Sequence, residues 1–203
     1  TPLEDGGTYW QGQELTRSQG VAAGETLEIR RQTAEGDAGA LVRQVADGDG
    51  DGTVLVGTSR LDGEYLLEDS ENSVVARFEV ARQTLSVSWE EDTVSNSGSN
   101  TEVDLEITSN RGRFAILIGA QGLDEDDLLD VFADATAGSE SNDGVVRIAD
   151  VGGDDAVTAD FEGVDSGSYT FTVEAEDTTA SGTASAQVGS RRGVTARFAQ
   201  SIF

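Results

Sequence analysis

The chain has 203 residues, with 39 Asp and Glu against 13 basic residues, a formal charge of −26, and every basic residue is arginine. That length accommodates two domains of modest size, each with its own core. The charge excludes phosphate- and anionic-membrane-binding roles, which need clustered Lys and Arg, so nucleic acid is not an expected partner. With no cysteine and no histidine, disulfides, thiolate metal sites and the commonest general base are excluded as well.

Residues 1–79 are expected to form a first all-β domain. Gly6-Gly7 leads into Tyr9-Trp10-Gln11-Gly12-Gln13, an aromatic pair before a turn. Val21 to Glu25 then links into a strand at Thr26–Arg31, with Leu27 and Ile29 facing inward. Two β-rich runs, Ala40–Ala46 and Thr53–Thr58, flank Asp47-Gly48-Asp49-Gly50-Asp51-Gly52, for which a hairpin with an acidic glycine turn is the simplest reading. Asp62-Gly63 starts Glu64–Glu68, and Val74–Phe78 closes the domain with Val74, Ala76 and Phe78 on one face.

The second domain is expected over residues 80–198, and its alternation is clearer. Leu85, Val87 and Trp89 share a face; Val103, Leu105 and Ile107 alternate with Glu102, Asp104 and Glu106, so one sheet face is buried and the other meets water. Phe114–Ala120 is apolar on both faces and predicts a central strand. Asp124-Glu125-Asp126-Asp127 before Leu128–Phe132 is the one helical candidate, its acids complementing the positive end of the helix dipole. Strands at Val145–Ile148, Val157–Phe161 and Tyr169–Ala175 follow, with Asp154-Asp155 read as a turn. Short strands, glycine-rich turns and no alternation of β and α units predict two tandem immunoglobulin-like antiparallel β-sandwiches.

An internal repeat frames this division. Val74-Val75-Ala76-Arg77-Phe78 returns as Val194-Thr195-Ala196-Arg197-Phe198, four of five residues identical at an offset of 120. Gln83-Thr84-Leu85 and Gln200-Ser201-Ile202 follow the two copies, so the repeat reads as a strand closing one domain and running into the next, with 199–203 the start of a truncated domain. Residues 194–198 are expected to bury Val194, Ala196 and Phe198 against the face carrying Tyr169, Phe171 and Val173.

Acidic excess without lysine is a solvent signature. Lysine's ammonium is strongly hydrated on a long apolar stem, while arginine is less hydrated and forks onto carboxylates. At 1 M salt the Debye length is about 3 Å, which removes most of the self-repulsion of such a surface. The natural partners are cations and other protein surfaces. The longest apolar run, Phe114–Ala120, is far below the roughly 20 residues of a membrane span, so direct membrane insertion is not expected.

Tyr9-Trp10-Gln11-Gly12-Gln13-Glu14-Leu15, Gly24–Arg30, Leu61-Asp62-Gly63-Glu64-Tyr65 and Gly167–Val173 together resemble the repeated domains of haloarchaeal surface-layer glycoproteins. The resemblance covers most of the chain as a style of strand and turn, with no catalytic motif to anchor it. It implies an exported cell-surface protein of immunoglobulin-like domains in series, assembling with copies of itself into a surface-layer lattice, often with calcium. N-glycosylation is common in that family, yet none of Asn72, Asn96, Asn100, Asn110 or Asn142 lies in an Asn-x-Ser/Thr sequon.

The candidate metal ligands are Asp47, Asp49 and Asp51, which match the D-x-D-x-D-G opening of a calcium loop. The rest of that loop fails: its ninth position is Leu55 and its twelfth, normally a bidentate Glu, is Thr58. A solvated acidic turn is the alternative. No serine has a histidine to activate it and no G-x-S-x-G elbow or phosphate loop occurs, so no enzyme is expected and no catalytic residue is assigned. Trp10 and Trp89 read as packing residues. The function expected is structural, with an extracellular adhesin or the stalk of an exported protein as the alternative.

Overall fold

The computed structural model describes residues 1–135 and 144–189; the repeat copy at 194–198 and the tail at 199–203 lie outside them. Two compact units result. One holds Thr1–Leu85 with Ser109–Arg111 and Glu174–Ser181; the other holds Ser86–Thr108 and the described residues of 112–173 and 182–189.

The first unit contains strands β1 (Gly7–Trp10), β2 (Glu14–Arg17), β3 (Thr26–Gln32), β4 (Ala38–Ala46), β5 (Val54–Gly57), β6 (Gly63–Glu68) and β7 (Val74–Ala81). Five of them make a sheet in the order β1-β7-β6-β3-β4, and β2 pairs with β5 in a second. The inward residues of both sheets, among them Leu15, Leu27, Ile29, Val54, Val56, Tyr65, Leu67 and Phe78, form one core. Between these strands pairing is antiparallel except for β1 and β7, which run parallel from Gly7↔Phe78 to Trp10↔Ala81; Pro2 adds a parallel bridge to Thr16.

The hairpin expected across Asp47–Gly52 does not form. β4 pairs with β3 and β5 with β2, so the acidic glycine loop carries the chain from one sheet to the other. The tight turn lies at 33–37, where Gly36 takes φ +88° and the Thr33 N–H donates to the Asp37 carbonyl at 2.9 Å. Closing that shorter loop costs less chain entropy, which gives β4 to β3. Val74 also departs from its expected inward position. The register slips between Leu67 and Glu68, leaving Val74 exposed while Ala76, Phe78 and Val80 are buried.

The second unit contains β8 (Leu85–Trp89), β9 (Thr93–Ser95), β10 (Glu102–Ala120), α1 (Glu125–Val131), β11 (Val146–Asp160), β12 (Gly167–Ala175) and β13 (Ser181–Gly189). Here the strands predicted at 101–107 and 114–120 are one 19-residue strand, and those at 145–148 and 157–161 are one of 15. They pair antiparallel from Glu102↔Asp160 to Ile118↔Val146, with register breaks between Thr108 and Arg113 and again between Phe114 and Ile116. The first break falls opposite Gly153, between the pairs Thr108↔Asp154 and Arg113↔Gly152, so Asp154-Asp155 lies in the paired strand rather than in the expected turn. Bends of this kind let one strand serve two sheets. β10 accordingly pairs with β8 as well as with β12; the Glu90 N–H donates to Asp104 near its start and the Gln121 N–H to Thr170 at its end.

Both units carry the same corner. Tyr65, stacked on Phe78 at 5.7 Å, donates its hydroxyl to the Asp62 carbonyl at 3.0 Å and accepts the Asp62 N–H at 2.8 Å. Tyr169 donates to the Asp165 carbonyl at 2.9 Å. A tyrosine bonded to backbone a few residues upstream is a mark of immunoglobulin-like sandwiches, where a disulfide cysteine stands two residues further on. Those positions are Leu67 and Phe171, both fully buried. Phe171 is ringed by aromatics, with Trp89 at 5.0 Å, Phe161 at 6.0 Å and Phe132 at 6.2 Å between centroids. The fold is all-β and immunoglobulin-like, with packed side chains where the cross-link would stand.

Candidate functional site

Asp47, Asp49 and Asp51 lie in the loop that crosses between the sheets of the first unit. Asp47 is 6% exposed, and its carboxylate accepts four backbone N–H groups: Gly24 at 2.8 Å and Gly52 at 2.8 Å on Oδ2, Gly50 at 2.9 Å and Asp51 at 3.2 Å on Oδ1. A carboxylate offers about four lone-pair positions, so these bonds fill it. Asp51 accepts the Thr53 N–H at 2.8 Å, and both Asp49 and Asp51 are exposed. The Asp47 carboxylate is therefore taken up by the backbone donors of its own loop and of Gly24. Among the described residues, no group of three or more Asp, Glu, His or Cys side chains is placed to hold a metal.

What Asp47 does is organise the loop. The N–H of Gly24, then those of Gly52, Gly50 and Asp51, hold its carboxyl below the usual carboxylate range. Asp47→Asn turns an NH2 toward two of those donors, and we expect the melting temperature to fall by about 5–10 °C with or without calcium. Calorimetry in calcium and in chelator tests this; a loss confined to calcium buffer would return the ion to the loop. A depressed folded pKa gives stability that is complete above the unfolded value of about 4 and disappears as pH falls through the lower folded value. Asp47→Asn should therefore flatten the acid limb of the stability curve below about pH 4.

The acidic run at the helix is a cap. Asp124 accepts the Asp127 N–H at 3.0 Å and Asp127 accepts the Asp124 N–H at 3.1 Å, a reciprocal box that satisfies two end donors while Leu128 and Val131 are buried. Trp89 is in the aromatic core. Trp10 is half-buried in the first unit with the Arg111 guanidinium 5.9 Å from its ring centroid. Arg111 also holds Asp177 in a fork at 2.6 and 2.9 Å, and Gln13 donates to the same carboxylate at 2.6 Å. These partners, Arg111 foremost, keep Asp177 below the usual carboxylate range. Gly12 closes the cluster: with φ +108°, a Cβ there would sit 2.9 Å from the Thr178 backbone.

The feature with the greatest reach is the division of charge in the second unit. Its described residues carry eighteen Asp and Glu and two Arg. One outer face presents Glu102, Asp104, Glu106, Asp154 and Asp160, with Glu102 directly opposite Asp160. The outward positions of β12 and β13 are different: Ser168, Thr170, Thr172, Thr183, Ser185 and Gln187 are exposed between buried neighbours, and the one carboxylate in either alternation, Glu174, lies where β12 has passed into the first unit. A depression of about 480 Å³ elsewhere in this unit is lined by Glu90, Glu91, Glu102, Asn100, Val94 and Val103. Three glutamates give it no affinity for anions.

No protein-family model and no curated protein matches the sequence. Among solved structures, the chain is similar to the N-terminal four Ig domains of Dscam1 isoform 4.44 at 13% identity, covering 92% of this chain and 44% of that one with a TM-score of 0.30. It is similar to the D0-D1 domain of intimin at 9% identity, covering 92% and 96%, TM-score 0.34. The I9-I11 tandem of titin matches at 10% identity, covering 92% and 64%, TM-score 0.31. The chain spans less than half the length of the Dscam1 chain. Its assignment to the immunoglobulin-like class rests on the strand pairing and the two tyrosine corners. Among the described residues, no helix is long and apolar enough to cross a membrane.

Proposed function

We propose that this chain is a structural, non-enzymatic component of a cell-surface layer from a hypersaline habitat, that of a halophilic archaeon. It acts by lateral assembly with copies of itself, and cations, calcium among them, neutralise carboxylates across the contacts. The observation that supports this is the combination of 39 acids and no lysine with sandwiches whose acids stand on an outer sheet face. Such a surface is costly in dilute buffer and inexpensive in molar salt, where screening removes the repulsion. Repetition of rigid sandwiches along a chain supplies what a lattice needs, a stiff unit with fixed sides.

Electron microscopy of the purified chain in molar NaCl with calcium tests the proposal. Ordered sheets or filaments are expected. A chain that stays monomeric and unordered under these conditions would favour the other reading, an adhesin or the stalk of an exported protein.

A further inference from the structure

We infer that the hydroxyl-bearing face of β12 and β13 is where a second copy of this chain docks. This rests on the lateral-assembly reading above and names its contact surface. Two molecules of charge −26 repel, and a contact that desolvates opposed carboxylates costs far more than one between solvated ones. Contact is therefore cheapest where carboxylates are missing. In a unit with eighteen acids, the alternation Ser168, Thr170, Thr172 on β12 and Thr183, Ser185, Gln187 on β13 is such a place.

The chemistry of these side chains points to a copy of the same face. A carboxylate only accepts hydrogen bonds, so an acidic face cannot satisfy its own image. Hydroxyl and amide groups both donate and accept, so two identical faces related by a two-fold axis can bond each other. Thr170 and Ser185 already do so across the strands, Oγ1 to Oγ at 3.1 Å. Ser and Thr also lose little rotamer entropy when fixed, unlike Lys or Glu. The same sheet continues through β9, where Thr93 lies opposite Gln187, and through β10 and β11, where Leu117 lies opposite Arg147; Leu117 adds apolar area and Arg147 a cation.

Four strands about 4.8 Å apart and seven residues at about 3.3 Å give a face of roughly 450 Å². A stable pair buries about 800 Å² per partner, so this contact is weak singly and effective when repeated along an array.

Sedimentation equilibrium of the 203-residue chain in molar NaCl, up to millimolar protein, tests the inference. We expect the weight-average mass to rise with concentration. Thr170→Glu with Ser185→Glu should weaken association at least tenfold, and Ser86→Glu, which adds a charge on β8, away from β12 and β13, should leave it unchanged. Equal association in the double variant, or a monomer throughout, overturns the inference. Should the double variant fail to fold, the missing cysteine leaves a clean background for a spin label. Dipolar broadening is expected between copies labelled at Thr172→Cys and not at Ser86→Cys; equal broadening at both sites counts against the face. The two proposals fail separately. Ordered sheets from the double variant would refute this contact and spare lateral assembly, while pairing through this face without sheets would do the reverse.

Discussion

Lowering NaCl below a few tenths molar, where the Debye length exceeds about 6 Å, is expected to unfold the second unit before the first. The first unit has arginines set among its acids: Arg30 bonds Glu28 at 2.7 Å and Glu68 at 3.1 Å, and Arg111 holds Asp177 at 2.6 Å. The second has two arginines for eighteen acids, and the Arg113–Asp150 pair that one of them makes is about 70% exposed on both sides, so it contributes little. Its acid face places Glu102 directly across from Asp160, a like-charge pair that is destabilising without screening. Tryptophan separates the two events, since Trp10 lies in the first unit and Trp89 in the core of the second. In Trp10→Phe the remaining fluorescence should shift at the higher salt concentration, and in Trp89→Phe at the lower. A β circular dichroism spectrum unchanged at 50 mM salt would refute the expectation.

Phe171→Ala should cost the second unit about 3–5 kcal/mol. The side chain is fully buried, and its three edge-on neighbours, Trp89, Phe161 and Phe132, each add about 0.5–1.5 kcal/mol beyond area. A domain of this size is stable by about 5–15 kcal/mol in total, so the variant is left marginal even in molar salt. Urea unfolding followed by Trp89 fluorescence gives the number. A cost under about 1 kcal/mol would mean that the cluster collapses onto the gap and does not hold the sheets together.

Much of this was legible wherever large apolar residues alternate with charged ones. Val103, Leu105 and Ile107, and Tyr169, Phe171 and Val173, are buried as their spacing predicts, and α1 begins at its acidic cap. Ser181–Gly189 escaped notice because its inward residues are Ala184, Ala186 and Val188, too small to signal a buried face, and with it went the hydroxyl surface. Strand fusion was hidden because Asp154-Asp155 read as a turn, although the glycines at 112, 152 and 153 give the backbone freedom for a bend within one strand. The Asp-Gly loop was legible as acidic and compact. Its purpose was not, because the Gly24 N–H that completes the Asp47 carboxylate comes from 23 residues upstream. Arg17 is a similar case: buried, with its guanidinium given to the carbonyls of Gln19, Leu3 and Val75, it ties three distant segments by contacts that no local pattern announces.

The parallel pairing of β1 with β7 bears on how the first unit meets a pull along the chain. Where the first and last strands of a domain are antiparallel neighbours, tension applied to their outer ends opens the ladder one bond at a time. Here the strands run the same way, so a force entering at Gly7 and leaving at Ala81 slides one along the other and loads every bond together. The bonds from Gly6 to Arg77 at 2.7 Å and from Gln11 to Ala81 at 2.8 Å extend that clamp at both ends, and the Asp5 carboxylate adds another through the Arg77 N–H at 2.7 Å. Resistance of this kind is set by the rate of rupture, and equilibrium stability does not fix it. A coat stretched by the swelling of what it encloses would be held by shear in short strand pairs of this type.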